Sequence, residues 1–187
     1  MTLSEIKERL EICPVIAAVR QGSLSAALDS PAQVIFALDE SIATAQSTIE
    51  LAHRAGKAVF IHADLTHGIA KDKWGIEYLR SIGADGIIST HAGLIRYARE
   101  QGMLCVQRYF AEDSQGLSSI CDMISQAKPD LIEIMPGVID KVIRRFAGEK
   151  TPVIAAGLIE TKAEVMGALS CGAVAVSTGK KELWDIY

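Results

Sequence analysis

Pro152-Val153-Ile154-Ala155-Ala156-Gly157, a helical stretch, and then Ala173-Val174-Ala175-Val176-Ser177-Thr178-Gly179 decide the reading of this chain. Each segment is a short apolar run that ends in a turn of small residues. Runs without polar alternation are what parallel strands buried on both faces look like. Two of them in succession, each closing on a small-residue turn, match the way a (β/α) barrel builds a phosphate site. The loops after its last strands present backbone N–H groups to the anion, helped by the positive end of a short following helix. Glycine at 157 and 179 would let the backbone approach the anion without a Cβ in the way.

Similar runs recur upstream: Val15–Arg20, Val34–Asp39, Ala58–Asp64, Gly86–Thr90, Leu104–Phe110 and Leu131–Met135. Helical spacing fills the gaps, with Ala45, Ile49 and Ala52 on one face of Ile42–Ala55, and Val165, Met166 and Leu169 on one face of Ala163–Ser170. Glycines at 56 and 83, just ahead of strands, mark helix ends. Eight strands alternating with helices predict a small TIM-type (β/α)8 barrel of the α/β class, one domain spanning 1–187. The first connection, Gln21 to Gln33, has room for about two helical turns around Leu24–Leu28. An open doubly wound sheet is the alternative, but no G-x-G-x-x-G follows the first strand, where a dinucleotide fingerprint would sit. Thr2-x-x-Glu5 reads as a capping box that starts a helix through Leu10, of the kind that plugs the bottom of a barrel.

Composition narrows the functional classes. With 49% hydrophobic and 22% charged residues, the 187-residue chain has ample material for one core and no disordered signature. It shows no signal-peptide pattern and no run long enough to span a bilayer, so the expected location is cytoplasmic and away from membranes. Cys13, Cys105, Cys121 and Cys171 lack C-x-x-C spacing, so reduced thiols are expected and no metal site. A net charge of −4 gives no global attraction for nucleic acid, and any such contact needs a local basic patch.

In a barrel the site is built at the C-terminal ends of the strands. Those ends supply Arg20, Asp39 with Glu40, His62 with Asp64, Ser89 with Thr90, Gln107 with Arg108, Glu133, Gly157, and Ser177 with Thr178. Period-two alternation places His62 and Asp64 on one side of their strand. A carboxylate in so apolar a run needs a partner. That partner is either a ligand or Arg20 or Arg108 across the barrel, and Glu133 poses the same choice.

The segments His62-Ala63-Asp64-Leu65-Thr66-His67-Gly68-Ile69, Gly86-Ile87-Ile88-Ser89-Thr90, Gln107-Arg108-Tyr109-Phe110, Pro129 to Gly137, Ala156-Gly157-Leu158-Ile159 and Leu183-Trp184, in this order, resemble the glycerol uptake operon antiterminator regulatory proteins. The resemblance covers essentially the whole chain. It implies a small TIM-type barrel that responds to glycerol 3-phosphate, needs no cofactor, and binds leader mRNA of glycerol-utilisation genes to prevent premature termination. Carried over by position, the family's strand-end residues fall on Arg20, Asp64, Gln107, Arg108, Glu133, Gly157 and Thr178. Ala155-Ala156-Gly157 departs from the expected two-glycine turn, and Gly179 stands where a hydroxyl residue is usual. The second strand end, Ala37 to Glu40, matches least well.

The expected ligand site is therefore Arg20, His62, Asp64, Gln107, Arg108, Glu133, Gly157, Ser177, Thr178 and Gly179. Phosphate would bind at Gly157 and Ser177–Gly179, while Asp64 and Glu133 accept hydrogen bonds from the polyol and Arg20 or Arg108 balances their charge. A phosphosugar isomerase or epimerase is the competing class, since His62, Asp64 and Glu133 could move protons. No lysine lies inside a predicted strand, which speaks against a Schiff-base aldolase. For RNA, Lys141, Arg144 and Arg145 fall at i, i+3, i+4 on one helical face, and Arg96 and Arg99 share another helix. Assembly into a homo-oligomer is compatible with the sequence.

Overall fold

The computed structural model describes residues 1–20, 22–111 and 113–187. Gln21, the expected start of the first connection, lies outside the described residues. Eight parallel strands close on themselves in sequence order. They are β1 (Val15–Val19), β2 (Val34–Ala37), β3 (Ala58–His62), β4 (Gly86–Ser89), β5 (Leu104–Phe110), β6 (Leu131–Met135), β7 (Val153–Ala156) and β8 (Ala175–Thr178). Closure is made by β1 against β8, with Val15, Ile16 and Ala17 opposite Val176, Ser177 and Thr178. Helix α1 (Leu3–Ile12) precedes the barrel. The outer ring is α2 (Leu24–Asp29), α3 (Ala45–Arg54), α4 (Lys73–Ser81), α5 (Ala92–Glu100), α6 (Ser114–Ala127), α7 (Asp140–Ala147) and α8 (Lys162–Ser170).

Alternation along the strands sorts the apolar residues into two layers. Ile16, Phe36, Phe60, Ile88, Val106, Leu131, Ile154 and Ala175 fill the barrel interior, joined from below by Ile6 and Leu10 of α1. Val15, Ile35, Ile61, Ile87, Cys105, Ile132, Val153 and Val176 face the helices. Helix α1 is capped as expected, with the Thr2 hydroxyl accepting from Glu5 N and the Glu5 carboxylate accepting from Thr2 N. Thr161 and Glu164 make the same reciprocal cap on α8. Gly86 is required by packing, because a Cβ there would lie 2.4 Å from the Phe60 ring and 2.5 Å from Leu104 O.

Several strand ends, and one helix face, differ from the sequence reading. β1 ends at Val19, which leaves Arg20 exposed in the following loop. β3 ends at His62, whose carbonyl accepts from Leu65 N, Thr66 N and Thr66 Oγ1, so Asp64 rides on a tight turn rather than on the strand. In α8 the buried stripe is Val165 and Ala168, while Met166 is exposed, because the helix packs through one narrow line. No helix among the described residues is long and apolar enough to cross a membrane. Among the described residues no three His, Cys, Asp or Glu side chains gather as a metal site would require.

Candidate functional site

A cavity of about 650 Å³ opens at the C-terminal mouth, bordered by the ends of β1, β5, β6, β7 and β8. Arg20, Arg108, Glu133, Gly157, Ser177, Thr178 and Gly179 all line it. His62, Asp64 and Gln107 do not.

The turn after β7 has a specific backbone. Gly157 has φ +76° and Leu158 φ +61°, two successive left-handed residues. A Cβ on Gly157 would also lie 2.7 Å from Met135 Cε. Glycine is therefore demanded at 157 by conformation. Gly179 differs: its backbone is not left-handed, and a Cβ there would meet Ala18 O at an ordinary 3.6 Å. The two turns are tied together. Thr178 Oγ1 donates to Ile159 O at 2.9 Å and accepts from Lys180 N at 3.1 Å, while Thr178 O accepts from Trp184 Nε1. The hydroxyl of Thr178 thus fixes the shape of the mouth, and Ser177, inward by alternation with Ala175, borders the cavity.

Arg108 and Glu133 are register neighbours on β5 and β6. Both point inward, and Arg108 Nε donates to Glu133 Oε2 at 2.5 Å. Glu133 is fully buried, and among the described residues its Oε1 has no partner. Among the described residues the terminal nitrogens of Arg108 make no hydrogen bond, so they remain available to the cavity the residue lines. Arg108 therefore balances Glu133, not Asp64. The Asp64 carboxylate instead accepts from Ser89 Oγ, Thr90 N and Thr90 Oγ1 at 2.5–2.8 Å. Burial by itself would raise the Asp64 carboxyl, but these hydrogen bonds outweigh it and hold it below the usual carboxylate value.

His62 sits between these groups on the inward face, almost fully buried, and its Nδ1 has no partner among the described residues. Burial, reinforced by the Arg108 charge and opposed by Asp64, pushes its pKa down to about 4, so the ring is neutral at pH 7. Gln107 takes the opposite face. It alternates with Cys105 and Tyr109, which belong to the layer under the helices, and both of its amide atoms are buried without partners among the described residues. Its neighbour Arg108 takes the inward position on that strand, so Gln107 cannot share the mouth.

Among the mouth residues that sequence reasoning did not pick out are two cations. Lys180 and Lys181 line the cavity just past the last turn. They follow Gly179 directly in the chain, which was the available signal. Arg108 is matched by Glu133, and Lys180 lies 3.4 Å from Glu160. Arg20 and Lys181 have no ion-pair partner among the described residues, so the mouth carries uncompensated positive charge in an acidic protein. Elsewhere, Glu40 is satisfied by Thr44 and Thr48, and Asp39 lies 3.4 Å from His67. Lys141, Arg144 and Arg145 are all exposed on α7, whose other face buries Val142, Ile143 and Phe146.

Comparison with known proteins identifies the family and agrees with the barrel fold. A glycerol uptake operon antiterminator regulatory protein from Listeria monocytogenes is 34% identical, with a TM-score of 0.88 over 94% of this chain and 96% of that one. An antiterminator-related protein from Thermotoga maritima is 30% identical, with a TM-score of 0.80 over 91% and 96%. The Escherichia coli K12 protein YgcP is 38% identical over 92% of both chains. Aldolase barrels also superpose, but at 11–14% identity they share the fold alone. The family described as glycerol-3-phosphate responsive antiterminator matches residues 15–184, and this chain belongs to it.

Proposed function

We propose that this chain binds glycerol 3-phosphate in the mouth of the barrel and that occupancy of the site controls its hold on the leader mRNA of glycerol-utilisation genes. The observation that carries the reading is the pairing of the Gly157 and Ser177–Gly179 turns around one cavity with the uncompensated cations Arg20 and Lys181. A dianionic phosphate supplies the missing charge and accepts backbone N–H hydrogen bonds where Gly157 permits close approach. The polyol end meets the free terminal nitrogens of Arg108. Glu133 holds that guanidinium in place, and Asp64 acts through Ser89 and Thr90 by fixing the ends of β3 and β4.

RNA is held through exposed cations, with Lys141, Arg144 and Arg145 of α7 as the starting surface. Such contacts are made in the cytoplasm, where the leader is transcribed. The site is tested by calorimetry with glycerol 3-phosphate, glycerol and inorganic phosphate on the wild type and an Arg20→Ala, Lys181→Ala variant. Glycerol 3-phosphate should bind tightest, phosphate weaker, glycerol weakest, and the variant should lose at least tenfold for the two anions. Equal binding of glycerol and glycerol 3-phosphate would contradict the phosphate assignment.

A further inference from the structure

At the opposite, N-terminal end of the barrel, Lys7 of α1, Arg99 of α5, Lys128 after α6 and Lys150 after α7 border a single groove of about 730 Å³. A second groove shares Arg99 and Lys128 and adds Arg96. All five cations are exposed, and among the described residues none forms an ion pair. Of the carboxylates nearby, Asp130 accepts from Cys105 N at 2.9 Å through Oδ2 and also interacts with the Arg99 charge. Glu100 and Glu149 are the others. Cations in the last turn of a helix are common because they complement the helix dipole, and Arg99 fits that explanation, whereas Arg96 lies mid-helix. Lys7 lies mid-helix and Lys150 lies in a loop, so the dipole does not account for them.

We infer that this rim is the RNA-binding surface and that it continues the basic face of α7; the inference rests on the antiterminator reading above. The cations come from four separate elements and are spread along a groove instead of converging on a point. That arrangement suits a chain of phosphates better than one small anion. The groove floor offers Leu3, Ile124, Pro129 and Pro152 for ribose and base faces. Arg144 and Arg145 occupy the last turn of α7, and Lys150 follows three residues after the helix ends, so the strip is continuous along the chain. The other end of α7 is attached to the effector mouth, because Gly137, in the loop that leads into α7, donates its N–H to Ala156 O and Gly157 O. Helix α7 thus runs from the phosphate turn to the RNA groove. The two ligands occupy opposite ends of the barrel and do not compete.

The test is fluorescence anisotropy of a labelled transcript of the 5′ leader from the gene cluster that encodes this chain, titrated at several salt concentrations with saturating glycerol 3-phosphate. The proteins are the wild type, a Lys128→Ala, Lys150→Ala variant, and a Lys71→Ala, Lys73→Ala control that removes equal charge from the exposed end of the β3–α4 connection and the first residue of α4. The groove variant should bind RNA at least tenfold more weakly. Its slope of log K against log salt should fall by about 1.4–1.8, two phosphate contacts at about 0.7–0.9 each. Its melting temperature and glycerol 3-phosphate affinity should be unchanged, and the control should match the wild type. If the wild type binds the leader and the groove variant binds it equally well, the surface is wrong while the regulator reading stands. If the wild type does not bind the leader at all, both fall.

Discussion

The backbone N–H of Gly137 donates to the carbonyl of Ala156 at 2.5 Å and to that of Gly157 at 3.2 Å, which fastens the approach to α7 onto the turn at the barrel mouth. The contact exists only because residue 137 has no side chain. A Cβ would lie 2.6 Å from Ala156 N and 2.9 Å from Ala155 C, both backbone atoms that cannot move aside without moving β7. Gly137→Ala is therefore expected to destabilise the fold by about 1–3 kcal/mol through overpacking. It should also weaken glycerol 3-phosphate binding, because the turn that shifts borders the cavity. Thermal melts and calorimetry on one variant check both effects. A variant with unaltered melting and unaltered ligand affinity would show that the loop and turn are not mechanically joined.

Gly157→Ala isolates the turn itself. The φ of +76° costs an L-residue about 1–2 kcal/mol, and Met135 Cε must also give way. Stability should drop by that amount, and affinity for inorganic phosphate should fall together with affinity for glycerol 3-phosphate. A selective loss of glycerol 3-phosphate with phosphate unchanged would place the turn at the polyol end instead.

The Arg108–Glu133 pair should behave as a buried ion pair. Removing one member leaves a buried charge uncompensated, so Glu133→Ala should cost about 3–5 kcal/mol in urea unfolding. Combining it with Arg108→Met should recover much of that stability, since the unpaired charge is gone, while ligand binding stays lost. No recovery in the double variant would mean that the pair matters by shape rather than by charge.

His62 sets an acid limit. Its folded pKa of about 4 lies below an unfolded value of about 6.5. Between these values the unfolded chain binds more protons, so stability is full above about pH 6.5 and is lost as the pH falls toward 4. The loss from pH 7 to pH 5 should be on the order of 2 kcal/mol. Asp64 works in a different window: its lowered pKa adds stability that disappears only below about pH 4. Urea midpoints at pH 7 and pH 5 for the wild type and His62→Asn check the assignment, and an equal decline in both proteins would remove His62 as the cause.

The barrel was legible because its strands are apolar on both faces; all five residues of β1, for example, are buried. That same property hid which face each polar residue takes. In Cys105-Val106-Gln107-Arg108-Tyr109, two adjacent polar residues cannot both point inward, and only the register of β5 against β6 assigns the interior to Arg108. Asp64 was placed on a strand because its run is hydrophobic, but the hydrogen bonds from Leu65 and Thr66 back to His62 O end β3 two residues earlier. The partner of Glu133 lies 25 positions away on a neighbouring strand, a pairing that no local pattern encodes. The small-residue turns at 157 and 179 both border the mouth cavity, whereas Lys180 and Lys181 follow the second in a segment with no periodicity to read.

The central claim is that one molecule couples a small phosphorylated polyol to RNA, and reciprocal linkage tests it most directly. The affinity for the leader transcript is measured with and without glycerol 3-phosphate, and the affinity for glycerol 3-phosphate with and without the transcript, in the same buffer. The expected result is a change by the same factor in both directions, about 5–150-fold, because coupling free energy is shared between the two sites. RNA affinity indifferent to glycerol 3-phosphate, together with measurable turnover of a phosphosugar, would contradict the account and return the barrel to the enzymes whose fold it shares.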